Sequence, residues 1–149
     1  METESIKKFL DACQEAKRIT ELMPELPKGM KPRHVHIIDA VHNLGKKGEA
    51  VRVRDVSESL KVTMPSITKL VNELEALDVL VKSVQAEDKR AVALVLTPLG
   101  ESYYDFYVEH YHNWLAQLLQ GLTDAQLLAA AEVMQQVYRL MAGQQMEKK

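Results

Sequence analysis

One cysteine, Cys13, stands among 149 residues. A lone thiol cannot close an internal disulfide, so the natural reading is a reducing, cytoplasmic setting. Long apolar runs are missing too; none approaches the ~20 residues that a membrane-spanning helix needs, and no membrane partner is expected. The first residues, METESIKKFLDACQ, carry acids and no long apolar block, so a signal peptide is not expected. The sequence has no Gly-rich phosphate loop, no nucleophile elbow and no HExxH. Its acids are dispersed along helical stretches, which suits solvation better than a catalytic carboxylate pair. An enzyme is therefore not expected, and no catalytic residue, metal ligand or cofactor is assigned. Charge of one sign is also scarce: the formal net charge is -2, which argues against a general nucleic-acid coat. Internal repeats and low-complexity segments are absent.

What is present fits a soluble globular chain of single-domain length, with 46% hydrophobic and 27% charged residues. Charge is unevenly spread. Residues 28–90 carry twelve bases against nine acids, while the segments before and after them are net negative. The middle is the only positive part of the chain.

That middle ends in VTMPSITKLVNELEALDVLVKSVQAEDKR, from Val62 to Arg90. Thr63 is placed to cap a helix by accepting a first-turn N–H, and Pro65 suits the first turn because its missing N–H removes no helical bond. Ile67, Leu70, Val71, Leu74 and Leu77 recur at three- and four-residue steps as one apolar stripe. Ser66, Thr68, Lys69, Asn72 and Glu73 fall off it. After Asp78 the pattern changes to β-formers (Val79, Leu80, Val81, Val84), a polar and charged tip (Gln85 to Arg90) and β-formers again (AVALVL, Ala91 to Leu96). A helix with a small polar face followed by a hairpin with a cationic tip is the pattern of a winged helix-turn-helix, in which the helix enters a major groove and the hairpin reaches backbone or minor groove.

The flanks are helical. Ile6, Phe9, Leu10, Cys13, Ala16 and Ile19 form a stripe from about Ser5 to Met23, ended by the loop MPELPKGMKP. Val35, Ile37, Ile38, Val41 and Leu44 predict a second helix ending at Gly45. Gly48 to Val53 is read as a short strand, and Asp55 to Leu60 as the first helix of the helix-turn-helix, with a tight turn at Lys61–Val62. Thr97-Pro98 opens a long helix to Gly121. TDAQ, from Thr123, is a capping box for the last one. The fold expected is mainly α with a small β-hairpin wing.

The sequence resembles the MarR family of bacterial transcription regulators, from about Pro32 to Gly100. The family's wing has a basic residue, five residues, Asp-x-Arg, a small or apolar run and Leu-Thr; here these are Lys82, Asp88-Lys89-Arg90 and Leu96-Thr97-Pro98-Leu99-Gly100. SITKLVNELEALDVL matches its recognition helix, with Asp78 where the family commonly has Gly; Asp tolerates a left-handed turn better than most residues. The resemblance implies one domain over residues 1–149, with a DNA-binding part at 33–97 and dimerisation helices at 1–23 and 98–142. It implies a cytoplasmic homodimer that represses from double-stranded operator DNA, a pseudo-palindrome, and is released by a small ligand. The DNA-binding residues expected are Thr63, Met64, Pro65, Ser66, Thr68, Lys69, Asn72, Lys82, Asp88, Lys89 and Arg90. Within the wing, a carboxylate two residues before Arg90 can orient its guanidinium; the plainer alternative is a surface ion pair.

Tyr103, Tyr107, Tyr111 and Trp114 share one face of the long helix. Core or dimer packing is the default there; the sharper alternative is a site for a small aromatic effector, with His36, Tyr103, Tyr107 and Tyr111 as the candidate residues. Cys13 lies on an apolar stripe and reads first as a small buried hydrophobe, with a redox sensor as the alternative. His34/His36 and His110/His112 are spaced i, i+2, which splits each pair across a helix, so surface or half-buried histidines are expected before a metal-sensing regulator. A winged-helix protein-interaction module is the remaining reading.

Overall fold

The structure is a computed structural model and describes residues 1–84 and 92–148. Its elements follow the apolar periodicities: α1 (Thr3–Glu21), α2 (Pro32–Gly45), α3 (Val53–Leu60), α4 (Met64–Ala76), β1 (Leu80–Val84), β2 (Val92–Leu96), α5 (Pro98–Tyr103), a π-helical segment (Tyr104–His110), α6 (Tyr111–Leu118) and α7 (Asp124–Ala142). β1 and β2 form an antiparallel pair with Leu80 opposite Leu96 and Val84 opposite Val92. The chain divides into two compact units, Met1–Val108 and Glu109–Lys149. Asp88, Lys89 and Arg90 lie outside the described residues.

The first unit is built on the stripe read from the sequence. Ile67, Val71 and Leu74 of α4 are fully buried with Ile37 and Ile38 of α2, Val56 of α3, and Val79 and Leu80 where the hairpin begins. Leu70 and Leu77 pack against this cluster from its edge. Each such aliphatic side chain stabilises the fold by about 1.5–3 kcal/mol on full burial, so this cluster sets how α4 is seated.

The turns at both ends of α4 are made by left-handed residues. Lys61 (φ 56°) closes α3, and Asp78 (φ 61°) closes α4. At Asp78 the closure is a Schellman motif: Asp78 N–H donates to Glu75 O at 3.1 Å, and Val79 N–H to Leu74 O at 3.0 Å. Asp serves at this turn as the sequence suggested.

Two expectations are corrected. Gly48 to Val53 is not a strand. Val51 O accepts one bond from Leu94 N–H (2.7 Å), but Arg52 N–H is taken by Asp55 Oδ2 (2.9 Å) as a cap of α3, so no ladder develops. The long helix from Thr97-Pro98 does start there, with Thr97 Oγ1 accepting from Gly100 N–H at 3.1 Å. It is not α-helical throughout, because seven residues, Tyr104–His110, take π-helical geometry. The wider π turn breaks the 3.6-residue spacing on which the four-residue aromatic face was counted. The rings pair locally instead: Tyr103 meets Tyr107 edge-on at 5.8 Å, and Tyr111 stacks with Trp114 at 5.9 Å.

In the second unit, Thr123 and Gln126 form the capping box at the start of α7. Neither α6 nor α7 has a buried residue, and in the first unit α1 has none either. No helix among the described residues is long and apolar enough to cross a membrane.

Candidate nucleic-acid interface

The buried stripe of α4 fixes what its other side presents. Thr63, Met64, Pro65, Ser66, Thr68, Lys69 and Asn72 are all exposed, while Ile67 and Val71 between them are buried. Six of the seven lie within the first three turns of α4, and Thr63 is its N-cap. This is a short polar and methyl-bearing face with Lys69 as its cation, carried on a helix that cannot roll without exposing its core residues.

Thr63 holds the expected position but not the expected bond. Its hydroxyl donates to Ser66 Oγ at 2.9 Å and accepts no backbone N–H. Pro65, at the second helical position, removes one of the two N–H groups an N-cap can use, and the hydroxyl turns to the Ser66 side chain instead. Thr63 and Ser66 are thereby joined into one surface feature.

The hairpin is tied to α4 at its root. Lys82 Nζ donates to Asn72 Oδ1 and stands 3.7 Å from Glu75 Oε1. Both Lys82 and Asn72 were expected at the interface; the structure brings them together and spends part of each on the other. Lys82 is thus a clamp between β1 and α4. Asp88, Lys89 and Arg90, also expected at the interface, lie outside the described residues.

A groove of about 590 Å³ runs between α2, the end of α3 and α4, walled by Lys31, Arg33, His36, Ser66, Lys69 and Glu73 over a floor that includes Ile37 and Ile67. Of the candidate effector residues, His36 lies here. Tyr103 and Tyr107 of the same unit do not line this groove. Tyr107 Oη donates to Glu25 O at 3.2 Å, and burial, with the nearby Tyr103 and Glu25, raises its phenol above the usual tyrosine value. Within the first unit, the groove beside His36 therefore does not include Tyr103 or Tyr107.

The histidines also depart from expectation. His36 is exposed and His42 is half-buried, stacked on Tyr104 at 3.5 Å with Nδ1 2.9 Å from Glu101 Oε2. His34, however, is fully buried, the one polar or charged residue in the core of the described residues. Its Nδ1 accepts from Lys31 N–H at 2.9 Å, and its Nε2 lies 2.9 Å from Glu73 Oε2 of α4. The i, i+2 argument concerned metal chelation and was blind to this pairing. The available signal was local: His34 stands three residues after the N-cap Lys31, with Pro32 between, where a side chain folds back on the cap. Cys13 is half-buried on α1. Among the described residues, no group of three or more His, Cys, Asp or Glu is placed to hold a metal ion.

The comparisons with known proteins agree with this geometry. The model of the MarR family matches residues 28–91, from the loop before α2 to the residue before β2. The HTH-type transcriptional repressor MdtR of Bacillus subtilis (strain 168) is 22% identical over 114 residues, which is 76% of this chain and 71% of MdtR. The structure of Streptococcus pneumoniae FabT in complex with DNA is similar at TM-score 0.63 and 19% identity, over 95% of this chain and 99% of that one. Bordetella bronchiseptica BpsR, whose DNA binding is regulated by 6-hydroxynicotinic acid, is similar at TM-score 0.60 and 16% identity, over 90% of this chain and 98% of that one. By the match over residues 28–91 and a fold shared along nearly the whole chain, the protein is similar to the MarR family and has the winged helix-turn-helix fold of these structures.

Proposed function

We propose that the chain is a homodimeric DNA-binding transcription regulator, a cytoplasmic repressor of a pseudo-palindromic operator that a small ligand releases. The observation that carries this reading is the first half of α4, exposed on its polar side and locked in place on its apolar side. On that face Ser66 and Thr68 can hydrogen-bond base edges, Lys69 a phosphate or a guanine edge, and Met64 and Pro65 can contact thymine methyls. Lys82, held to Asn72, sets the wing beside the helix. Arg90 is assigned to the minor groove or its edge, with Asp88 orienting it and Lys89 adding charge at the tip; this assignment rests on the wing motif. One wing and one helix cover a half-site, so a two-fold dimer reads two half-sites about one helical turn apart. Residues 33–97 form the DNA-binding part and residues 1–23 and 98–142 the dimerisation helices. Ligand control by a small aromatic effector is proposed by likeness to BpsR, with His36, Tyr103, Tyr107 and Tyr111 as the separate candidate residues for it.

The test is fluorescence anisotropy with inverted-repeat fragments from the DNA flanking the coding region. The parent should bind one of them, and Lys69→Ala should bind it more weakly, with a salt slope reduced by about one. A protein that binds no such fragment above its affinity for random duplex would overturn the reading.

A further inference from the structure

We propose that His34 is a positioning residue for DNA reading: from inside the core, its Nε2–H holds the Glu73 carboxylate of α4 turned toward α2 and away from approaching phosphates. The inference rests on the function proposed above and adds to it a residue outside α4 and the wing.

Three observations carry it. First, α4 is an unfavourable carrier for DNA binding, because Lys69 is its only cation while Glu73 and Glu75 share the helix. A free carboxylate next to a phosphate row repels it. Second, both acids are engaged from outside α4. Glu75 lies 3.7 Å from Lys82 Nζ of β1, and Glu73 lies 2.9 Å from His34 Nε2 of α2. Third, the bonding of His34 is directional. Its Nδ1 accepts from Lys31 N–H, so the ring proton is on Nε2, and it points at Glu73 Oε2. The ring is fully buried, so it has no other place to swing.

Glu73 is the group with the freedom to move. Its side chain is 38% exposed, and it borders both the groove beside α2 and the open face formed by Thr68, Lys69 and Asn72. The bond to His34 selects the first of these two placements. Without it the carboxylate can lean over Lys69, one turn earlier, and cancel the one cation of the reading face.

A purely structural His34 would cap α2 and fill the core, and the two roles respond differently to substitution. His34→Asn keeps an acceptor near the Nδ1 position for Lys31 N–H but loses the donor to Glu73. His34→Gln keeps a donor near the Nε2 position. Glu73→Gln removes the charge that needs holding, and Glu73→Asp keeps the charge but withdraws it by one methylene from His34. The measurement is the affinity of each variant for the inverted-repeat fragment that the parent binds, with thermal melting of each as a folding control. Expected losses are about tenfold for His34→Asn and Glu73→Asp and less than about threefold for His34→Gln and Glu73→Gln, and His34→Asn added to Glu73→Gln should cost less than about threefold more. An equal loss from His34→Asn in both backgrounds overturns the positioning role, as does His34→Gln binding no better than His34→Asn. If His34→Asn does not fold, Glu73→Asp decides, because it leaves the core ring in place: parent-like binding overturns the proposal. A parent that binds no fragment is a different outcome, one that removes the function on which the role rests.

Discussion

A methyl group added to Gly100 would lie 2.1 Å from Val79 O, a backbone atom that cannot rotate away. That carbonyl is held in turn by Thr97, whose N–H donates to it at 3.0 Å and whose hydroxyl is shared between it (3.0 Å) and Asp78 O (2.6 Å). In an ordinary helix Gly→Ala stabilises by about 0.5–1 kcal/mol. Here Gly100→Ala should destabilise by about 3 kcal/mol, read as a lower denaturant midpoint with unchanged slope. The closing Leu-Thr-Pro-Leu-Gly of the wing motif is thus a close approach of α5 to the strand entry. Tyr107 supplies a second residue-scale prediction. Burial, then Tyr103 and Glu25, raise its phenol, so the folded chain holds this proton more tightly than the unfolded one. The sign follows from that: the contribution is fully present below the unfolded value of about 10 and is lost as pH rises through the folded value. Tyr107→Phe should remove one component titrating above about pH 10 from the alkaline absorbance curve, and an unchanged curve would show that the phenol is not the group so held.

At the scale of elements, α4 was legible because two independent signals coincide on it. Ile67, Val71 and Leu74 gave the apolar face, and the structure buries all three completely. Leu74 also accepts the Val79 N–H that closes the helix into β1, so its side chain and carbonyl both sit at the helix–hairpin junction. Leu74→Ala should cost about 2–5 kcal/mol of stability, and a variant that melts with the parent would show that the junction repacks around the loss. The segment after Pro98 was less legible. Apolar and aromatic spacing there reads the same for an α-helix and for one with a π turn, since the difference is one extra residue per turn over Tyr104–His110. The hairpin was read from composition, and its register, Leu80 against Leu96, agrees with β-formers on both sides. Gly48 to Val53 was misread because its residues suit a strand while its hydrogen bonds are claimed by the α3 cap.

For the whole molecule, the uncovered apolar surface is the main consequence. Leu10, Ile19 and Leu22 at α1, and Leu128, Tyr138, Leu140 and Met141 of α7, are each at least half exposed. Exposed apolar side chains in such number on a helix mark a binding face, and a two-fold copy of the chain is the occupant that the proposed operator symmetry requires. Sedimentation equilibrium at micromolar concentration should give about twice the monomer mass of 16.9 kDa. Leu140→Glu should shift the mass toward the monomer and lower the affinity for a full inverted repeat far more than for a half-site. A well-folded parent that sediments as a monomer would contradict the dimer. The wing tip belongs to this scale as well, since it matters only on DNA. Arg90→Ala should cost about 1–3 kcal/mol in operator binding, and Asp88→Ala a smaller loss of the same sign; tighter binding by Asp88→Ala would show that repulsion outweighs orientation.

The sequence by itself determined the order of helices and hairpin, the buried stripe of α4 and hence the face that α4 presents. These depend on local spacing, capping and turn chemistry, which act between residues a few positions apart. Asp78 could be placed at a left-handed turn for the same reason. Only the tertiary structure decided that His34 lies in the core against Glu73, 39 residues away, that Lys82 is spent partly on Asn72 and Glu75, and that Tyr103 and Tyr107 do not line the groove beside His36. Those pairings join side chains from different elements. Periodicity says which face of a helix is apolar, but it does not say which polar residue of another helix will be buried against it.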